Sequence, residues 1–127
     1  MKKSPKKTFK KLPPQQEKIL WEADTELPFS GTYCNFKEEG IYLCVGCDHP
    51  LFSSEHKFDS RTGWPSYYQP ISSNAVKKTE DRSTGFLRTE IICGQCTGHL
   101  GHVFNDGPPP TGLRYCINSS ALFFQKK

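Results

Sequence analysis

Near the C-terminus the chain alternates strictly, with Leu113, Tyr115 and Ile117 on one parity and Arg114, Cys116 and Asn118 on the other. A period of two predicts a β-strand with a cation, a thiol and an amide on one face. Similar short apolar runs predict further strands at Ala75–Thr79 and Phe86–Ile92, joined by a polar turn from Glu80 to Gly85. Gly98–Phe104 leads into another strand, and Ala121–Phe124 closes the chain. Earlier, Tyr33–Phe36 and Ile41–Leu43 flank Lys37-Glu38-Glu39-Gly40 and predict a hairpin. Leu51–Ser53 and Phe58 read as short extended pieces, Arg61–Ser66 as a loop, and Gly107–Pro110 as a stiff loop. Helical periodicity is confined to Gln15–Glu26, where Ile19, Leu20 and Trp21 stand among Glu and Gln before Pro28. The expected fold is mainly β, with a short N-terminal helix and no internal repeat.

Composition sharpens this picture. With 127 residues the chain suits one domain. Ten glycines, ten prolines and sixteen aromatics favour turn-rich β structure over a helical bundle. Mean hydropathy is −0.63, and no run reaches membrane-spanning length. The net charge is +4, but six lysines and no acid lie in residues 1–11, so the remainder carries −2. Residues 1–11 therefore read as a disordered, solubilising tail ahead of a domain spanning 12–127. A single-stranded nucleic-acid binder would need cations among its aromatics, and this body is net acidic. The charged N-terminus lacks the apolar segment of a secretory signal, which points to a cytoplasmic setting. There, six cysteines suit metal binding or catalysis better than a disulfide framework.

Four of the six form Cys44-Val45-Gly46-Cys47 and Cys93-Gly94-Gln95-Cys96. A two-residue spacer lets both thiolates reach one ion, and the glycines are expected to supply a positive φ for the tight turn. Two such turns make a closed, structural Zn²⁺ site. The 45 residues between the pairs mean that the metal would tie distant hairpins together. Redox-active pairs or two local disulfides are the competing readings, but neither pair is followed by helical patterning.

Cys116 and Cys34 remain. A buried thiol packing as a small hydrophobe is the plain reading of Cys116. The chemical reading is a nucleophile, with Arg114 lowering its pKa, Asn118 donating a hydrogen bond and His99 or His102 moving a proton. The two histidines could equally be surface or core residues, or the start of a second metal site. Trp64, in a rigid Gly-Trp-Pro-Ser loop, is either packing or the wall of a pocket for an apolar or sulfur-bearing group.

Taken in order, Gly-Trp-Pro-Ser (63–66), the two Cys-x-x-Cys pairs, Gly-His-Leu-Gly-His-Val-Phe (98–104) and Arg-Tyr-Cys-Ile-Asn-Ser (114–119) resemble the B-type peptide-methionine (R)-S-oxide reductases. Pro28–Gly31 and Glu39–Cys44 also look like that family, and the similarity runs from residue 12 to 124. It implies two antiparallel β-sheets tied by zinc, and reduction of the R epimer of methionine sulfoxide in proteins or peptides. By motif position Cys116 is the nucleophile, passing through a sulfenic acid, and His102 the proton donor. His99 and Asn118 orient the site, Trp64 holds the S-methyl group, and Arg114 tunes the thiolate. Many members carry a resolving cysteine just before Gly-Trp-Pro-Ser, where this chain has Thr62-Gly63. Cys34 is then the candidate resolving thiol, giving a Cys34–Cys116 disulfide that thioredoxin reduces. The alternatives are a bystander Cys34 with direct reduction by an external thiol and, for the whole protein, a non-catalytic zinc-tied domain with an aromatic ligand cage.

Overall fold

The computed structural model describes residues 12–127; the lysine-rich stretch before them, expected to be a disordered tail, lies outside the described residues. The helix α1 (Pro14–Glu22) starts on a proline, which suits the first helical position because its missing N–H has no partner to lose. Ile19, Leu20 and Trp21 form its buried face. Ala23 adopts a left-handed conformation (φ 56°) and ends the helix short of the expected Glu26. The chain past Asp24 is irregular, and there Glu26 makes contacts with the far end of the sequence.

Nine strands in the described residues form two antiparallel sheets, the architecture that the family resemblance implies. In the smaller sheet β1 (Gly40–Cys44) lies between β2 (Pro50–Ser53) and the C-terminal β9 (Leu122–Lys126). The larger sheet contains β3 (Lys57–Phe58), β4 (Ser66–Tyr67), β5 (Val76–Asp81), β6 (Arg88–Cys93), β7 (His99–Phe104) and β8 (Arg114–Ile117). Their order across the sheet is β3-β4-β8-β7-β6-β5.

The hairpin expected at Tyr33–Leu43 does not form. Residues 32–35 are a turn, closed by Cys34 N–H to Gly31 C=O and Phe36 N–H to Tyr33 C=O. The partners of β1 come instead from β2 and β9. Tyr33 and Phe36 are apolar for packing, with their rings edge-on to each other at 5.2 Å and Phe36 edge-on to Phe124 at 4.7 Å. The β5–β6 hairpin is displaced by about two residues from the expected strands, leaving Phe86 and Leu87 in an exposed connection. Ser66, expected in a loop, belongs to the short strand β4, where it pairs with Cys116.

The two sheets meet over an aromatic core. Phe52 of the smaller sheet stacks on Tyr67 of the larger at 4.4 Å, and Tyr42 meets the same ring edge-on at 5.3 Å; all three are fully buried. Each buries enough apolar surface to contribute about 2 kcal/mol. Helix α1 closes one end by packing on β7 and on the 3-10 turn Ser119–Ala121. No helix of the described residues is long and apolar enough to cross a membrane.

Candidate active site and metal site

The four expected metal cysteines converge. Their sulfurs all lie within 4.8 Å of one another, with Cys44–Cys96 and Cys47–Cys93 both at 3.6 Å. A metal–sulfur bond of about 2.3 Å in a tetrahedron gives sulfur–sulfur edges of about 3.8 Å, so the cluster fits one tetrahedral ion such as zinc. Cys44 ends β1 in the smaller sheet and Cys93 ends β6 in the larger. The two turns have matching hydrogen bonds, Asp48 N–H to Cys44 C=O and Thr97 N–H to Cys93 C=O. The glycines of the two turns do not supply the expected positive φ. Positive φ falls on Asp48 (64°) and Thr97 (62°), not on Gly46 or Gly94. Space requires the glycine at 94, where a Cβ would collide with the Asn74 carbonyl; at Gly46 a Cβ would lie a tight 3.0 Å from a Leu20 methyl.

At the other end of the larger sheet, β8 presents Arg114, Cys116 and Asn118 to a cavity of about 200 Å³, while Tyr115 and Ile117 enter the core. Trp64 and His102 line the same cavity. In the ladder Cys116 is flanked by Ser66 of β4 and His102 of β7. Histidines three apart on a regular strand would face opposite ways. A register shift between Ile91 and Ile92 leaves Leu100 as an extra residue opposite β6. This irregularity turns His99 and His102 together, with their rings edge-on at 5.5 Å.

Each histidine is held by a carboxylate. His99 Nδ1 donates to Glu90 Oε2 at 2.6 Å, deep in the interior, and its Nε2 has no hydrogen-bond partner there. His102 Nε2 donates to Asp81 Oδ2 at 2.7 Å, and Arg88 reaches the same oxygen at 2.9 Å. Asp81 is held well below the usual carboxylate range by hydrogen bonds from Ser83 first, then from His102. Burial lowers the His102 pKa and outweighs the opposing pull of Asp81, so the imidazole is neutral at neutral pH.

Cys116 is governed by the same contest. Burial raises its pKa, with a smaller push from Glu26, while the Arg114 guanidinium and the Thr62 hydroxyl pull it down. Burial wins, and the resting thiol is protonated. Arg114 is itself tied to Asp106 by two bonds, at 2.9 and 3.2 Å, and lies over the Phe104 ring at 4.6 Å.

Four contributors carry no local sequence signal of their role: Glu26, Thr62, Asp81 and Arg88. Glu26 is the most connected. Its carboxylate accepts from Ser119 N–H (2.8 Å) and Ser120 N–H (3.0 Å), and its own N–H donates to Asn118 Oδ1 at 3.0 Å. The Glu26 carbonyl accepts from Trp64 Nε1 at 3.0 Å. One residue thus fixes both the Asn118 amide and the Trp64 indole. Asn118 is further pinned through its Nδ2, which donates to the Leu100 carbonyl at 3.0 Å.

Cys34 is not in this cavity. It lines another, with Lys57, Phe58 and Asp59, and its carbonyl accepts from Lys57 Nζ at 3.2 Å. Lys57 belongs to β3, two strands away from β8, a lateral separation of about 10 Å. The Thr62 side chain, just before Gly-Trp-Pro-Ser, reaches the Cys116 sulfur from one side, as Arg114 does from β8.

Residues 12–126 match the SelR domain family. The chain is 57% identical over 115 residues to the peptide methionine sulfoxide reductase MsrB of Thioalkalivibrio sulfidiphilus, covering 91% of this chain and 84% of the relative. It is 55% identical to the Agrobacterium fabrum protein of the same name over 90% of this chain and 84% of that one. For the Herminiimonas arsenicoxydans MsrB the identity is 61%, over 80% and 74%. The chain belongs to the MsrB family. It is accordingly a thiol-dependent oxidoreductase, and the non-catalytic aromatic cage is set aside.

Two measurements check the site. Because burial raises the Cys116 thiol, its alkylation by iodoacetamide in the substrate-free protein should keep accelerating as pH rises past 9; a plateau by pH 8 would contradict the burial argument. A metal shared by the four sulfurs closes a loop of 45 residues, an entropic constraint of about 4 kcal/mol. Cys96→Ser, or exhaustive chelation, should therefore lower Tm by more than about 10 °C. An unchanged Tm would deny the cluster its structural role.

Proposed function

We propose that this protein reduces the R epimer of protein-bound methionine sulfoxide to methionine, with Cys116 as nucleophile. The observation that carries the reading is the cavity in which Cys116, His102, Asn118 and Trp64 converge, within a chain of this family. The Cys116 thiol gives its proton to His102, and its sulfur attacks the sulfoxide sulfur, forming a transient S–S bond. His102 passes the proton to the sulfoxide oxygen, the oxygen transfers to the Cys116 sulfur as the transient S–S bond and the substrate S–O bond break, and methionine leaves as the sulfide. The Cys116 sulfenic acid is left behind, two electrons having moved from the cysteine sulfur to the substrate sulfur. Asn118 and His99 orient the centre, Arg114 and Thr62 favour the thiolate as it forms, and Trp64 provides an apolar wall for the S-methyl group. The four-cysteine cluster holds zinc, which supplies structural cross-linking and takes no part in the reaction. Residues 12–127 act as one catalytic unit, in a cytoplasmic setting that suits six unpaired thiols.

Recycling runs through Cys34. Its thiol attacks the Cys116 sulfenic sulfur, water leaves, and a Cys34–Cys116 disulfide forms; a thioredoxin dithiol then reduces that bond by exchange. Cys34 is free and half-buried in a turn rather than locked in a strand, which leaves its segment able to move. Movement is required, because a disulfide needs Cα atoms within about 7 Å and the two cysteines line separate cavities.

The deciding assay uses separated R and S methionine-sulfoxide peptides with dithiothreitol. Wild type should reduce R alone, and Cys116→Ser should lose at least about 10³ of that rate. Turnover of neither epimer by folded, zinc-loaded protein would overturn the reading. For recycling, Cys34→Ser should retain the dithiothreitol-supported rate and lose more than tenfold of the thioredoxin-supported rate. Peptide mapping after one equivalent of sulfoxide should show the Cys34–Cys116 link; a Cys34 that remains alkylatable would exclude it.

A further inference from the structure

Among the described residues five large apolar side chains are strongly exposed, and four of them lie in two loops beside the reaction cavity. Leu27 and Phe29 are 75% and 69% exposed, and Phe86 and Leu87 are 77% and 56% exposed. The first pair follows Thr25 and the second precedes Arg88, and both Thr25 and Arg88 line the cavity. Leu27 also adjoins Glu26, whose carbonyl holds the Trp64 indole. The apolar surface is therefore continuous along the chain with the walls of the site.

Phe29 is held there under strain. Its φ is 64°, a left-handed conformation that bulky residues rarely adopt and that glycine would take without strain. Strain of this kind persists at ligand clamps when neighbouring structure enforces it. The enforcement is visible in a 2.7 Å bond from Phe29 N–H to the Gly63 carbonyl. Gly63 itself tolerates no Cβ, which would lie 2.6 Å from Pro28 Cβ. The strained loop and the Trp64 loop are thus fixed to each other, and the aromatic ring is left pointing into water.

We propose that these two loops form an apolar rim that binds nonpolar residues flanking the oxidised methionine in an extended segment of a substrate polypeptide. The proposal rests on the reductase reading above and narrows its substrate class. The cavity, about 200 Å³, is smaller than the pockets of roughly 300–1,000 Å³ that enclose whole ligands. It takes one side chain, so the flanking residues of the substrate lie across the rim. The cations at the mouth do not select for acid: Arg88 is paired with Asp81, and Arg114 with Asp106. What the rim offers a neighbouring residue is apolar surface, and contiguous exposed apolar surface marks an interaction site.

The test compares kcat/KM, with dithiothreitol as reductant, on three R-sulfoxide substrates. These are a nonapeptide with Leu, Val and Phe around the oxidised methionine, the same length with Ser and Gly, and N-acetyl-methionine sulfoxide amide. Wild type should favour the apolar-flanked peptide by about tenfold, mainly through KM. Leu27→Ser combined with Phe29→Asn (asparagine tolerates the left-handed backbone), and separately Phe86→Ser, should remove most of that preference. The rate on the N-acetyl substrate should be unchanged in both variants. Equal efficiencies on the two peptides beside normal turnover of the N-acetyl substrate would overturn the rim and leave the reductase reading standing. So would variants that lose the same factor on all three substrates. A wild-type dimer that these substitutions dissociate without altering peptide preference would assign the surface to a second copy of the chain. Turnover of none of the three by wild type would overturn both readings.

Discussion

The convergence of four sulfurs at the ends of β1 and β6 is the constraint on which the two sheets depend. Each sheet is too thin to bury its inner face alone, and the aromatic layer of Tyr42, Phe52 and Tyr67 exists only where the two are pressed together. Leu20 makes the point locally. It packs on the first cysteine turn at Gly46 and approaches the second at Gly98, where a Cβ would come within 2.8 Å of its methyl. The N-terminal helix is therefore seated on the cluster, and the cluster is roofed by the helix. Two stiff turns with matching backbone bonds form an anchor outside the Cys116 cavity and supply a rigid frame for the sheets that build it.

The reaction cavity has a different organiser. Its side chains come from five stretches spread from Thr25 to Asn118, and a buried carboxylate ties the first of them to the last. Glu26 caps the turn after Cys116 through two backbone N–H groups while its own main chain holds Asn118 and Trp64. Isolated burial of a carboxylate is costly, and the Ser119 and Ser120 donors offset that cost. Gly31 is part of the same arrangement, because any Cβ there would collide with Ser119 Oγ. The Pro28–Gly31 motif is thus explained by how tightly the first loop must lie against the last turn.

The alternation at Leu113–Asn118 placed Arg114, Cys116 and Asn118 on one face because a half-buried strand has a period that sequence displays directly. The cysteine pairs were legible for the same reason, since their spacing is local. The aromatic run Tyr33–Phe36 misled, because apolar residues in a turn that packs on a core look like a strand when the backbone partners are unseen. Asp81 and Arg88 stand at the two ends of a hairpin turn, with Lys77, Lys78, Glu80 and Arg82 as equally charged neighbours, and nothing in their spacing marks the bond to His102. Glu26 was hidden by distance, since its partners lie more than ninety residues away. The displaced position of Cys34 follows from the failed hairpin, which left it beside β3 rather than near β8.

The charge state of the resting site bears on how the proposed reaction conserves protons. Reduction of a sulfoxide by a thiol consumes one thiol proton and places one proton on the departing oxygen, so no net proton is needed from solvent. A site holding a thiolate beside an imidazolium and a site holding a thiol beside a neutral imidazole contain the same proton in different places. Burial selects the second arrangement here, because it raises the Cys116 thiol and lowers His102 together. Two neutral groups cost less to keep in a largely buried site than an ion pair whose partners must both lose water. The Arg114 and Thr62 contacts then act on the small remaining gap, stabilising negative charge on sulfur only as it develops. Asp81, held ionised by Ser83 and Arg88, stabilises positive charge on His102 in the same moment. The site is therefore balanced to separate charge during attack rather than before it.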